Sequence, residues 1–364
     1  MKNAVAPKPA GRLPLAIVCT TCAAMFFLTL PPAQAAIYNL TSSDAAGESS
    51  LNTVGHWTDS STGNPSIAAP GSGNDYIVDG AGGTMRTLRA PLDTDYNLSL
   101  GGYGLWLRNQ GRLVFDQGGH TVTVSKLVLH NDGLVFSQVA NGATGSAAPT
   151  LAGTIVLQSM GYKGYLSTQL NSDLIVTAKI QDVTESNAAT LVIRGGDSGN
   201  ASIQHGGTVY LLNADNSYTQ GTEIWLDGTL DVGTTGKLGT GYVRLQAGTT
   251  LKLGHAEAIA SGAELRIETT DGKTTTIDLD FTGTSFVGSI LINNTPYTGS
   301  LAELAKTVTG LTVTGTGFLA TDGTPFPPVP EHATTAALLG VIVFGLGTIS
   351  ARCSRRQQAQ AVRR

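Results

Sequence analysis

Gly207-Thr208-Val209, Gly228-Thr229-Leu230 and Gly248-Thr249-Thr250-Leu251 open three short apolar strands whose starts lie 21 and then 20 residues apart. Alternation within and after them is strict. Leu230 and Val232 flank Asp231, Leu251 and Leu253 flank Lys252, and Leu265 and Ile267 flank Arg266. A period of two puts one set of side chains on a core and the other in solvent. A recurrence near 20 residues is the length of one coil in many β-solenoids, where stacked turns bury a continuous apolar column. The expected fold class is therefore all-β, a right-handed parallel β-helix. The competing all-β architecture is an antiparallel sandwich, whose turn spacing of about 8–12 residues also describes parts of the chain.

Working outward, the same grammar of a Gly or Asp-Gly turn before a short strand recurs from about residue 100. Gly104-Leu105-Trp106-Leu107, Gly111-Arg112-Leu113-Val114-Phe115 and Thr121-Val122-Thr123-Val124 read this way, as do Asp132-Gly133-Leu134-Val135-Phe136 and Gly153-Thr154-Ile155-Val156-Leu157. Residues 101–325 form the expected solenoid. Residues 36–100, with Trp57 and Asn74-Asp75-Tyr76-Ile77-Val78, are expected to supply an N-terminal cap and the first rungs, because a solenoid must close its open core. Residues 292–330 read as a fraying last rung followed by a Pro-rich stalk.

Composition agrees with many short strands and tight corners. The 364 residues include 46 glycines, 13% charged and 6% aromatic side chains, a mixture poor for helices. Charge is divided along the chain. The three cations of residues 1–35 (Lys2, Lys8, Arg12) and the five after Glu331 leave 14 of the 22 basic residues in the middle. All 26 acidic residues are there too, a balance of −12. An acidic domain excludes nucleic acid as a partner, since that needs a basic footprint. Cys19, Cys22 and Cys353 all lie outside this middle, so no disulfide is expected in it and sheet packing must hold it together.

The two ends read as addresses. Lys2, Lys8 and Arg12, the apolar run Leu13 to Leu30 and Ala33-Gln34-Ala35 make a secretory signal over residues 1–35, cleaved after small residues at Ala33 and Ala35. The implied partners are the export machinery and signal peptidase. Ala333 to Ala351 is uncharged for 19 residues, enough at about 1.5 Å per residue to cross a hydrocarbon core of roughly 30 Å. Arg352, Arg355 and Arg356 follow as a basic stop cluster, which places the C-terminus in the cytoplasm by the positive-inside rule.

Phe326-Pro327-Pro328-Val329-Pro330-Glu331-His332, the apolar span and the Arg-rich tail together resemble the PEP-CTERM sorting signal of Gram-negative bacteria over residues 326–364. Val329, Pro330 and Glu331 carry the motif, and His332 stands where the family has a second proline. The resemblance implies an exosortase-type membrane protease as partner, with a mature form either anchored or released to the cell surface. Gly207-Thr208-Val209-Tyr210-Leu211, Asn216-Ser217-Tyr218-Thr219-Gln220-Gly221-Thr222 and Asp227-Gly228-Thr229-Leu230 resemble the autotransporter-associated β-strand repeat, clearly over about residues 205–255. Ser217 and Gln220 replace the usual Thr and Gly. That resemblance implies a parallel β-helix surface protein, here without the outer-membrane barrel of autotransporters.

Chemistry is sparse. His56, His120, His130, His205 and His255 stand in no metal-ligand spacing, so no metal or cofactor is expected. Asp278-Leu279-Asp280 and Asp93-Thr94-Asp95 place two carboxylates on one strand face, the arrangement of an acid/base or calcium pair, but period-two Asp on a strand is more often simply the solvated face. There is no nucleophile elbow and no phosphate loop. The 14 basic residues read as scattered singly. No catalytic residue is assigned and no enzyme is expected. The expected function is a non-catalytic surface or matrix protein in adhesion, biofilm or envelope structure, with extracellular polysaccharide as a candidate partner. The alternative is a β-helix enzyme or binder acting on polysaccharide, which needs acidic and basic residues clustered on one solenoid face.

Overall fold

The computed structural model describes residues 35–80, 84–92, 94–139, 144–158, 161–196 and 206–321. The expected signal, the sorting motif at Val329, Pro330 and Glu331, the apolar span and the arginine cluster lie outside these residues, as do Asp93 and His205. Two long sheets, almost wholly parallel, run the length of the described domain. The first passes from Trp57–Asp59 and Ile37–Leu40 through Asp75–Asp79, Leu105–Arg108, Thr121–His130, Thr150–Gln158, Leu174–Val176, Thr208–Leu211, Thr229–Asp231, Thr250–Leu253 and Thr275–Leu279 to Leu311–Gly315. The second passes from Arg86–Arg89 through Gly111–Phe115, Leu134–Ser137, Lys163–Thr168, Thr190–Gly195, Gly221–Trp225, Tyr242–Leu245, Glu264–Ile267 and Ser289–Ile292 to Thr295–Tyr297. From Thr190 to Leu279 the chain visits the two sheets in strict alternation, the topology of a β-solenoid. The sandwich alternative is excluded, because it would need antiparallel ladders. Among the described residues, antiparallel pairing between strands occurs only where Trp57–Asp59 joins Ile37–Leu40 and where Thr295–Tyr297 joins Ser289–Ile292.

The apolar column read from the repeats is present. Val209, Leu230, Leu251 and Ile277 pair in successive rungs and are fully buried. Ile193, Ile224, Leu245 and Ile267 form the facing column in the second sheet. Each aliphatic side chain buried this way stabilises by about 1.5–3 kcal/mol relative to leaving it in water. Register corrects the sequence interval. Thr208 pairs Thr229 and Thr229 pairs Thr250, so both coils are 21 residues. Thr249 is the extra residue. It is fully buried, and its hydroxyl donates to the Gln246 carbonyl at 2.7 Å.

Corners are made by backbone that few residues accept. Asn109 and Gln110, Asn131 and Asp132, and Asn293 and Asn294 all adopt left-handed φ between 46° and 70°. Asn and Asp tolerate this region because their short side chains bond locally. Asn109 Nδ2 donates to Asp79 Oδ1 at 2.9 Å, and Asn131 Nδ2 donates in turn to Asn109 Oδ1, a ladder along successive corners. Asn109→Ala removes both the left-handed preference and the link to Asp79, an expected loss of about 1.5–2.5 kcal/mol. Denaturant unfolding measures it. Gly153 is a different case. The sequence placed it at a strand start, whereas the strand begins at Thr150 and Gly153 sits at a register shift with φ 100°. A Cβ there would lie 2.0 Å from the Val124 carbonyl oxygen, so the bulge requires glycine.

Both ends are closed. Trp57, Leu40, Leu51 and Tyr76 plug the N-terminal opening. Beside them the segment 41–44 satisfies the Arg86–Arg89 edge: Asp44 N–H donates to the Thr87 carbonyl at 2.9 Å, and Arg89 N–H donates to the Asp44 carboxylate at 2.9 Å. Residues 292–330 read from sequence as a fraying last rung and a stalk, but residues 295–321 do not fray. They instead turn back through Asn293-Asn294 into a hairpin, form the short helix Leu301–Ala305 capped by Ser300, and add the strands Leu311–Gly315 and Phe318–Thr321. Leu301 and Leu319 are buried in the core. The last rung would otherwise expose its column to water, and that burial is the reason it stays ordered.

Candidate functional site: the outer face of the second sheet

Alternation breaks on the second sheet. In Gly111–Phe115, Leu134–Ser137 and Thr190–Gly195 consecutive residues are apolar. Leu113, Val135 and Ile193 face the core, while Val114, Leu134 and Phe136 form a separate buried cluster against Tyr165. The reading that every outward position is solvated therefore fails in these middle rungs.

Toward the C-terminal rungs the same face becomes charged and aromatic. Parallel pairing sets Val192, Glu223, Arg244, Arg266 and Leu291 in one row across five strands, with neighbouring rungs about 4.8 Å apart. Lys163 and Tyr242 stand beside that row on one side, Arg194 and Trp225 on the other. Glu223 is the hub. It is 4% exposed, accepts from Lys163 Nζ at 2.8 Å and from the Tyr242 hydroxyl at 2.7 Å, and has Arg244 at 3.7 Å. Burial alone would push its carboxyl up, but these three partners more than offset that and hold it below its ordinary value. Arg244 also donates to Glu268 at 2.8 Å.

Three cations on this face rest on rings. Lys163 Nζ is 3.7 Å from the Trp225 ring centre, Arg194 is 4.6 Å from Tyr165, and Arg266 is 4.7 Å from Tyr242. A ring attracts a cation through its quadrupole without cancelling its charge. Burial and the nearby Asp132 carboxylate push the Tyr165 phenol up to about 12. Burial likewise raises Asp132, against the pull of Lys163 and Arg194. Arg244, Arg266, Glu268, Leu291 and Asn294 enclose a polar pocket of about 240 Å³ at the end of the row.

The basic residues are thus not scattered. Seven of the 14 lie on the ten strands of this sheet, which carry only two acids, Glu223 and Glu264. The fourteen strands of the first sheet carry four bases and six acids. Sequence reading missed this because Lys163, Arg194, Arg244 and Arg266 follow one another at intervals of 22 to 50 residues along the chain and meet only through register, as Arg244 and Arg266 do. One signal was available: Arg244 and Arg266 occupy the same outward position in successive repeats.

No family model, curated protein or solved structure matches this chain. The resemblances drawn from sequence rest on their motif residues alone.

The remaining sequence candidates do not converge. His56 lies 3.6 Å from Glu48 at the N-terminal cap, His130 is tilted over Trp106 on the first sheet, and His255 contacts the Gly236 carbonyl. Asp278 accepts from the Thr314 hydroxyl at 2.8 Å, and Asp95 accepts from the Thr121 N–H at 2.7 Å. Among the described residues no group of three or more metal-ligating side chains occurs. Among them, too, no helix is long and apolar enough to cross a membrane.

Proposed function

We propose that this chain is an exported, non-catalytic β-solenoid of the Gram-negative cell surface or extracellular matrix. In this reading it enters export through residues 1–35 and carries a PEP-CTERM-like tail over residues 326–364, which anchors it or is processed by an exosortase. Its coil is right-handed, the hand that nearly all parallel crossovers take. The observation that carries the non-catalytic part is the state of Glu223. Its oxygens are engaged by Lys163 and Tyr242 with Arg244 alongside, and it is 4% exposed, so it cannot approach a substrate. The repeat reading draws support from what its motif residues do. Asn216 accepts from Ile180 N–H at 2.8 Å and donates to the Lys237 carbonyl at 2.7 Å, stitching three coils. Tyr218 is fully buried and its hydroxyl meets Thr222 at 2.7 Å. These are structural tasks that each copy of a stacking unit needs.

A second reading has one observation in its favour. Asp132 is shifted up and Glu223 down around the shared Lys163, and divergent carboxyls mark acid–base pairs. Incubating the full-length chain with a panel of polysaccharides separates the two. The expected result is no new reducing ends and no unsaturated product. Turnover abolished by Asp132→Asn would replace the non-catalytic reading with an enzymatic one. Fractionation tests the address independently. Full-length protein is expected with membranes or at the cell surface, and a chain lacking residues 333–364 in the soluble exported fraction. A wild type found in the cytosol would overturn the export reading.

A further inference from the structure

We propose that the pocket between Arg244, Arg266, Glu268 and Asn294 is a subsite for one uronic acid residue of an acidic polysaccharide. The inference rests on the exported reading, which puts the domain among such polymers.

Arg244 and Arg266 are direct partners in adjacent strands, so their guanidinium groups leave the sheet from neighbouring rungs. Arg266 suits a carboxylate better than a neutral hydroxyl, because its two terminal amino groups can donate paired N–H groups in a fixed plane while Arg244 holds a second positive charge beside it. Each is also held before any ligand arrives. Arg266 lies on the Tyr242 ring and donates through Nε to Glu264. Among the described residues its two terminal amino groups have no other partner, and its side chain is 45% exposed. Arg244 is fixed through Nε and one amino group to Glu268. Rigid donors lose less entropy on binding than free ones.

The rest of the pocket fits a sugar. Glu268 is 38% exposed and can accept from ring hydroxyls. Asn294 brings an amide that donates and accepts, and it is held in left-handed backbone at φ 64°. Leu291 completes a lining that is otherwise mainly polar, which suits a hydroxyl-rich ring. At about 240 Å³ the pocket holds one ring and not several. The polymer continues along the row toward Lys163 and Trp225, where the remaining cations of this face stand. The domain otherwise repels polyanions, so attraction is confined to this sheet.

Affinity electrophoresis of the full-length chain in gels containing polygalacturonate or unsubstituted dextran tests the assignment. Retardation by polygalacturonate alone is expected, weakening between about 50 and 300 mM salt as screening rises. Arg266→Gln is expected to weaken it at least about tenfold, the loss of a charge-assisted pair. Lys252→Gln removes the same charge from the first sheet and is expected to change it less than about twofold. Circular dichroism confirms that both variants fold. Equal weakening by the two substitutions would mean diffuse charge attraction and would sink the subsite. So would equal retardation by dextran, or no retardation by polygalacturonate. Because fractionation reads the address separately, a surface-located chain that ignores polygalacturonate fails this assignment while leaving the exported reading intact.

Discussion

Glu223→Ala is expected to lower stability by about 2–4 kcal/mol, a fall in melting temperature on the order of 5–12 °C. The substitution removes one buried carboxylate but strands three donors. Lys163 keeps only the Trp225 ring, the Tyr242 hydroxyl loses its acceptor, and Arg244 keeps Glu268. The low end of the range applies because Lys163 and Arg244 are 27% and 33% exposed and water can reach both. Glu223→Gln retains an acceptor for the Tyr242 hydroxyl and should cost roughly half as much. The pH dependence has a definite sign. Glu223 is held below its ordinary 4.5 in the folded state. Its contribution is therefore present above about 4.5 and lost as pH falls through the folded value. Thermal melts between about pH 7 and 3 should show wild type and Glu223→Gln converging as acid is added. A gap that widens on acidification would mean that Glu223 is not held ionised.

Trp57→Ala is expected to cost about 3–5 kcal/mol, and to cost it locally. Trp57 is 1% exposed, lies edge-on to Tyr76 at 5.2 Å, and donates its indole N–H to the Ser50 carbonyl at 2.6 Å. Its strand pairs with Ile37–Leu40 on one side and on the other is bonded only to the loop that follows it, where Ser66 N–H donates to the Trp57 carbonyl at 2.8 Å. Removing the ring opens the N-terminal end of the apolar column while the central rungs still cover one another. In a quasi-linear stack such damage spreads weakly, since each rung contacts only its neighbours. Limited proteolysis should cut first between residues 41 and 73, and hydrogen exchange should accelerate there before it does at Leu230 or Leu251. Uniform acceleration along the whole domain would show that the cap is not an independent unit.

The central coils were legible because their code is local. Leu230, Val232, Leu251 and Leu253 alternate with Asp231 and Lys252, and a pleated strand has no other way to sort such a run. Corners such as Asn131-Asp132-Gly133 were legible for a similar reason, since Asn, Asp and Gly accept left-handed backbone at little cost. The ends were harder. Trp57 and Leu301 do their work by covering the column, and nothing within a few residues of either says which rung they cover. The middle of the second sheet could not be sorted from sequence at Val114, Phe136 and Val192, which are all buried. A strand buried on both faces loses its period of two, and the sequence then no longer distinguishes inward from outward.

Taken alone, the order of residues determined a stack of parallel coils and a cysteine-free acidic domain, and raised the expectation of signals at both ends, because periodicity, composition and short motifs are properties of neighbouring residues. Tertiary structure decided the 21-residue register, the closure of both ends and the gathering of Lys163, Glu223, Arg244 and Arg266 on one face. Those depend on which strands lie side by side. Hydrogen-bond register brings residues 22 to 60 positions apart to within one rung or a few, and no local pattern encodes that distance.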